Sequence, residues 1–178
     1  MANVTIYQQH RDILDALISS SKVSSVAGAT KTGPFSAQRD AYVFAASLAS
    51  ALGKPQKAGD MPTSKKDVTT IRDSVFLGAA GAEALTYLIV LLEENEGENT
   101  EANLSRQLDL LVDDKLQERL SMLDRYAFAG FEWLVKHQDD ERTIRELVLT
   151  ALDEITCVQS EPTNEAEVQD PLLDMLLD

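Results

Sequence analysis

The stretch FSAQRDAYVFAASLASALGK, residues 35–54, is the most clearly patterned element of the chain. Its second half is almost wholly apolar and rich in Ala and Leu, which are strong helix formers. Ser36 is suited to cap the start of a helix, Gly53 is suited to end one, and Pro55 prevents continuation. The sequence therefore predicts a buried helix over residues 41–52.

Helical spacing of apolar residues extends outward from this element. A first helix is predicted near the N-terminus, where Ile13, Leu14, Leu17 and Ile18 recur at that spacing, and another begins near residue 67 and bends near residues 78–81. Residues 104–137 predict two helices, the second starting near Asp114, and a final helix follows. No stretch is convincing as a strand.

These patterns predict an all-α protein with one compact domain of about six helices. The helical domain is assigned to residues 1–157 and an acidic tail with a terminal amphipathic segment to residues 158–178. With 178 residues and 44% apolar content, the chain can bury a substantial core. The apolar run over residues 76–92 contains Glu83 and is expected to be a core helix.

The composition also suggests a compartment. The single cysteine, Cys157, excludes an intrachain disulfide and fits a reducing cytoplasm; its apolar neighbours predict a buried or half-buried side chain. The first residues lack a signal-peptide pattern. We therefore expect a cytoplasmic protein with no membrane contact.

The net charge of −14 is unevenly distributed. Residues 1–66 contain eight Lys or Arg and four Asp or Glu, whereas residues 67–178 contain eight and 26. A strongly acidic surface repels nucleic acid and favours solubility. It also leaves open the alternative that the protein is an acidic DNA mimic, which inhibits a DNA-processing enzyme.

Residue types that carry catalysis or bind cofactors are sparse. His10 and His137, the only histidines, are expected to be exposed polar residues. No spacing typical of a metal or zinc site is present, and Gly28 to Lys31 is too short for a phosphate-binding loop. The sequence therefore predicts no enzyme, no cofactor and no metal.

Two segments are candidates for binding. A basic loop contains Lys54, Lys57, Lys65 and Lys66, which would contact DNA phosphates or an acidic partner, or would simply be solvated. The C-terminal DPLLDMLLD follows an acidic segment and is costly to leave in water. Its apolar side chains are predicted to dock on a partner protein or on the chain's own domain, with the two alternatives left open: Leu172, Leu173, Met175, Leu176 and Leu177.

Two motifs together resemble the family of Dnd-system-associated protein 4. The first lies within PFSAQRDAYVFAASLASALGK and the second within DRYAFAGFEWLVKH. The residues that carry the resemblance in the first are Phe35, Arg39, Asp40, Phe44, Ala45, Ala46 and Leu48. In the second they are Tyr126, Ala127, Gly130 and Glu132.

The resemblance implies an accessory protein of a bacterial DNA phosphorothioation-linked restriction or anti-phage defence system. We expect a non-enzymatic adaptor that binds a larger ATPase or nuclease of that system, with weak or indirect contact to DNA. Direct DNA binding through the basic loop is a further alternative. Arg39 at a helix start is unfavourable for a cation, so we expect it to pair with Glu132 and join the two motifs.

Overall fold

The computed structural model describes residues 2–18, 33–62, 68–93, 100–139 and 141–160, with the backbone alone for 158–160. Along these residues lie two strands and seven α-helices: β1 (Asn3–Tyr7), α1 (Arg11–Leu17), α2 (Gln38–Ala51), β2 (Val68–Arg72), α3 (Asp73–Phe76), α4 (Ala82–Leu92), α5 (Thr100–Leu110), α6 (Leu116–His137) and α7 (Ile144–Ser160). Single 3₁₀ turns cover Gln8–His10, Ala58–Asp60 and Asp113–Lys115. The protein is thus a predominantly helical compact domain, as predicted.

The centre of the fold is α6, the longest helix, which packs against α2, α4, α5, α7 and β1. Its buried side chains recur at helical spacing, so one face is apolar along its whole length: Leu120, Leu123, Ala127, Phe131 and Leu134. The predicted break before α6 is confirmed, since α5 ends at Leu110 and a 3₁₀ turn separates the two helices.

The tightest contact in the core joins α6 to α2. A Cβ built on Gly130 would lie 1.9 Å from the carbonyl oxygen of Ala45, so a side chain at this position would collide with the backbone of α2. Alanines line the facing side of α2, where Ala41, Ala45 and Ala49 are buried. Small residues therefore let the two backbones approach closely. The two motifs of the family resemblance meet at this contact.

Both ends of α2 have clear local causes. The helix begins at Gln38 after an extended Ala37, with no side-chain cap, so the prediction that Ser36 caps it is wrong. The Ser36 hydroxyl instead donates to Asp40 Oδ2 at 3.0 Å, because it lies one residue too early for the cap. Gly53 ends the helix as predicted: its φ is +62°, and the next amide, that of Lys54, donates to the Ala49 carbonyl at 3.0 Å.

The strands were not predicted. β1 and β2 pair antiparallel, with Asn3 opposite Arg72 and Tyr7 opposite Val68. Alternate residues of β1, Val4 and Ile6, are buried. The helical patterns that predict a first helix over residues 4–22 and another from near residue 67 are wrong for residues 4–7 and 68–72. Both strands are five-residue segments rich in β-branched side chains, and their partners lie far away in the chain.

The apolar run before α4 is interrupted, as the predicted bend near residues 78–81 suggested. Gly81 has a φ of +76° and directly precedes α4, whose buried side includes Leu85 and Ile89. Helix α4 packs on α6 and α2, so its core placement is confirmed. None of the described helices combines the length and the hydropathy needed to cross a membrane.

Candidate functional site

A cleft of about 350 Å³ opens between the C-terminal end of α2 and one face of α6. Its lining comprises Ala49, Leu52, Lys54, Ala129, Glu132, Trp133 and Lys136. We call it the α2–α6 cleft. The sequence motifs and the basic loop point to Lys54 and Glu132 but not to Trp133 and Lys136. The signal was present, because Ala129, Glu132, Trp133 and Lys136 recur three to four residues apart on one helix face.

Glu132 is held in this cleft from the side of β1. The Gln9 side-chain amide donates to Glu132 Oε1 at 2.5 Å, and His10 Nε2 contacts the same oxygen at 2.7 Å. His10 is completely buried, with its ring against Phe128 and Phe131, so the prediction of an exposed histidine is wrong. Burial lowers the pKa of His10, although Glu132 acts in the opposite direction. A neutral His10 with its proton on Nε2 fits this geometry.

A second cleft, of about 510 Å³, lies on the other side of the same α2 terminus. Here Arg125 holds the loop after α2: its Nε donates to the Gln56 carbonyl at 2.7 Å, and its own carbonyl accepts from the Gln56 amide. Arg125 also forms an ion pair with Glu93. The Tyr126 hydroxyl donates to Glu93 at 3.2 Å, and burial together with this carboxylate raises the pKa of Tyr126 to about 12.

The two lysines of the basic loop that the structure describes lie in different clefts. Lys54 lines the α2–α6 cleft, whereas Lys57 lines the second cleft, and both side chains are exposed. Lys65 and Lys66 lie outside the described residues. The structure therefore assigns the two described lysines to separate surfaces.

A half-buried carboxylate, that of Asp124, lies where β1 and α2 meet α6. Asp124 Oδ1 accepts from the Thr5 amide at 2.8 Å and from the Tyr42 hydroxyl at 2.5 Å, which ties β1 and α2 to α6. Burial raises the pKa of Asp124 to about 6, although both hydrogen bonds act against the shift. Tyr42 is itself fully buried, and its pKa is raised well above the usual value by the same burial. This network is structural.

Among the described residues, most of the large exposed apolar side chains lie on α4, on α5 and in the turn just after α5. Six large side chains there are 46–57% exposed: Leu88, Leu91, Leu92, Leu104, Leu108 and Val112. We call this set the leucine face. Leu88, Leu91 and Leu92 share one side of α4, and Leu104 and Leu108 share one side of α5, because they are three or four residues apart.

Polar contacts join α4 to α5. The buried Gln107 amide donates to the carbonyls of Leu91 and Glu93 at 3.2 and 3.1 Å, where α4 ends and its carbonyls lack intrahelical partners. Arg106 donates to the same Glu93 carbonyl. Buried Arg119 donates to Leu110 and Val112 carbonyls at 2.7 and 2.6 Å, which attaches the end of α5 to α6. The leucines are thus left facing solvent.

The structure corrects the expected Arg39–Glu132 pair. Arg39 donates to the Val75 carbonyl at 3.2 Å and lies 3.7 Å from Asp40, whereas Glu132 is bound by Gln9 and His10. The two motifs meet instead through Gly130, and Phe35 packs its ring 5.2 Å from Phe44 of α2.

Other predicted residues lie on the surface or outside the described part. Cys157 is exposed, so its predicted burial is wrong. His137 ends α6 as predicted and stacks on Trp133, with ring centroids 3.9 Å apart.

The segment containing Gly28 and Lys31 falls outside the described residues, as does most of the assigned tail. The five apolar tail residues lie in that undescribed segment: Leu172, Leu173, Met175, Leu176 and Leu177. Helix α7 reaches Ser160, and the assigned division at residue 157 stays a prediction.

Among the described residues, no group of three or more His, Cys, Asp or Glu side chains converges as a metal site would require. The candidate features are therefore two clefts with cationic rims and one exposed apolar face. Such features bind peptides, anions or protein surfaces.

Comparison with known proteins gives a biological setting. The model of the family "DNA sulphur modification system-associated protein 4" matches residues 8–170, nearly the whole chain, including the first part of the acidic tail. Searches of curated proteins and of solved structures each found no match. The match begins within the first 3₁₀ turn and includes both clefts and the leucine face. The chain belongs to the family of DNA sulphur modification system-associated protein 4.

Proposed function

We propose that the protein is a non-catalytic adaptor of a DNA sulphur modification system and acts by binding a larger protein of that system, such as an ATPase or a nuclease. The family supports the setting. The observation that carries the binding role is the leucine face, defined above by six half-exposed apolar side chains. Apolar surfaces of this kind on soluble domains mark sites of association.

The energetics favour a protein partner. Covering apolar surface contributes about 25 cal/mol for each Å² removed from water. The polar contacts of Gln107 and Arg119 fix α4 and α5 before any partner binds, which reduces the ordering cost of association. The leucine face is therefore preorganised for a complementary apolar surface.

The charge near this face specifies the partner further. Glu101 and Asp109 on α5 are exposed beside Leu104 and Leu108, and residues 67–178 carry 26 acidic against eight basic side chains. A complementary partner has an apolar centre with a rim of Lys and Arg. Such pairing accelerates association and weakens as salt is raised. DNA-processing proteins carry basic surfaces of this type.

The C-terminal segment contributes a second contact in this proposal. Its apolar side chains alternate with acidic residues in DPLLDMLLD, a pattern that suits a basic groove on the same partner. The leucine face and the tail would then act together, and loss of either weakens binding.

Co-purification with each protein of the same modification locus tests the proposal. Leu104→Asp with Leu108→Asp is expected to abolish retention of the partner, whereas the matched pair Leu149→Asp with Leu152→Asp on α7 preserves it. The control leucines are 50% and 46% exposed, so the chemical change is the same. Truncation after Ser160 isolates the contribution of the tail. Equal retention by both leucine pairs would contradict the proposed face.

Two alternatives based on charge make different predictions. DNA binding through the basic loop predicts steep salt dependence, but it receives less support because Lys54 and Lys57 line different clefts. A DNA mimic predicts inhibition of a DNA-processing enzyme that DNA itself relieves by competition. Neither alternative uses the leucine face.

A further inference from the structure

The α2–α6 cleft combines an apolar floor with a cationic rim. Ala49, Leu52, Ala129 and Trp133 supply the floor, and its volume of about 350 Å³ lies within the range of small ligand pockets. An occupant must therefore present apolar groups toward the floor.

The rim sets the charge of that occupant. Lys54 and Lys136 are exposed, and neither forms an ion pair with any residue in the described part of the chain. Glu132, the acidic residue of the lining, already accepts hydrogen bonds from Gln9 and His10. Because both donors are neutral, Glu132 keeps its negative charge, but the two ammonium groups outnumber this one carboxylate, so the cleft favours an anionic occupant.

Outside the described residues, the C-terminal segment has both properties. Residues 171–178, PLLDMLLD, alternate large apolar side chains with Asp174 and Asp178, and no Lys or Arg occurs from Gln159 onward. Leucine and methionine side chains match the floor, and the aspartates match the two lysines. Both hydrophobic burial and charge complementarity point to the same occupant.

The position of α7 makes this contact accessible. This helix packs on α2 and α6, the two helices that form the cleft, and it ends at Ser160. Residues 161–170 can span about 33 Å when extended, and a domain of this size has a radius of about 20 Å. Attachment to the same chain gives the segment an effective concentration of about 1 mM.

We propose that the α2–α6 cleft is a binding site for acidic, leucine-rich peptide and that residues 171–178 of the same chain occupy it. The inference does not depend on the adaptor role. If a partner also binds this segment, it competes with the cleft for it.

Trp133 is the only tryptophan in the chain and lines the cleft, so its fluorescence reports occupancy directly. The test compares the full wild-type chain with a full chain carrying Leu172→Ser, Leu173→Ser, Leu176→Ser and Leu177→Ser. The wild type is expected to emit at shorter wavelength, with an acrylamide quenching constant at least twofold lower. These substitutions lie outside the described core, and matching circular dichroism verifies the fold.

Charge variants test the rim. Lys54→Glu with Lys136→Glu is expected to reproduce the fluorescence of the tail variant. The control, Lys57→Glu with Arg145→Glu, makes the same change in net charge at exposed positions outside the cleft and should behave as wild type. A synthetic peptide of residues 161–178, added to the tail variant, should restore the wild-type signal saturably. Its quadruple-serine counterpart should not.

Three results would overturn the proposal. Identical emission and quenching in the wild type and the tail variant would show that the segment does not reach Trp133. Failure of the peptide to restore the signal would reject the cleft as its site. A wild-type signal that changes with protein concentration would assign the cleft to the tail of a second copy, and not to the same chain.

Discussion

The α2–α6 contact and the α4–α5 pair show two opposite uses of apolar residues. Where α2 meets α6, Gly130 and the alanines of α2 are small, and the backbones touch. Where α4 meets α5, large leucines remain about half exposed while Gln107 forms the contact through hydrogen bonds. The first region is therefore suited to internal stability. The second is held rigid by polar contacts and leaves its apolar surface available.

The largest expected effect lies at the first region. Gly130→Ala should destabilise the fold by about 3 kcal/mol or more, because the added methyl collides with the Ala45 carbonyl and cannot be relieved by a rotamer change. Gly59→Ala is the matched control, since no atom lies within 4 Å of a Cβ at that position. Denaturant unfolding measures both. Similar stabilities for the two variants would mean that the helices do not approach this closely.

The next effect concerns the attachment of α5. Arg119→Met keeps an apolar stem but removes the donor to the Leu110 and Val112 carbonyls, and we expect a loss of about 2 kcal/mol. Arg145→Met, at an exposed position on α7, should change stability by less than about 0.5 kcal/mol. Hydrogen exchange provides a local readout, because amides of α5 should lose protection first. Unchanged exchange in α5 would reject this role for Arg119.

A third prediction uses pH. The pKa of Asp124 is about 6 in the folded protein and near its ordinary value of 3.8 in the unfolded chain. A raised pKa contributes stability below pH 4 that is lost as the pH rises through 6. Relative to the wild type, Asp124→Asn should therefore gain about 2 kcal/mol of stability between pH 4 and pH 7.

Unfolding free energies at intervals across this pH range provide the measurement. The control is Asp153→Asn on α7, where the side chain is exposed to water. Its stability curve should run parallel to that of the wild type. The unfolding free energy of Asp124→Asn minus that of the wild type should rise with pH. If this difference stays constant or falls as the pH rises, the pKa of Asp124 is not raised in the folded protein.

The smallest effect on stability is expected at the leucine face. Leu104→Asp with Leu108→Asp should alter unfolding by less than about 1 kcal/mol, because both side chains are already more than half exposed. Thermal unfolding tests this. A large loss would show that these leucines belong to the core, and the contrast between the two regions would fail.

The elements that could be predicted from the sequence are those whose cause is local. Gly53 ends α2 through its own backbone conformation, and the apolar stripe of α6 is visible in its spacing. The β1–β2 pair could not be found in this way, because each strand is only five residues long and pairs with a distant segment. A short run of Val, Thr and Ile favours a strand, but five such residues directly before a longer helical pattern are easily included in the helix until the pairing partner is known.

The residues of the candidate sites show the same contrast between features with a local cause and features that depend on distant parts of the chain. Glu132 was identified through its motif, but its partners, Gln9 and His10, come from the other end of the chain. His10 was assigned to the surface because nothing adjacent to it predicts burial between Phe128 and Phe131. The helix dipole and the co-occurrence of the two motifs predict an Arg39–Glu132 pair, whereas in the structure Arg39 donates to the backbone carbonyl of Val75. Tertiary proximity decided each case.

The affinity of the partner for two matched variants tests the central claim most directly. Titration calorimetry would compare Leu104→Asp with Leu108→Asp against Leu149→Asp with Leu152→Asp, using the protein of the modification locus retained in co-purification. If the leucine face is the binding surface, the first pair should raise Kd by about tenfold or more, equivalent to about 1.4 kcal/mol, whereas the second pair should leave Kd unchanged, with both variants folded. Equal affinities for the two pairs would contradict that claim.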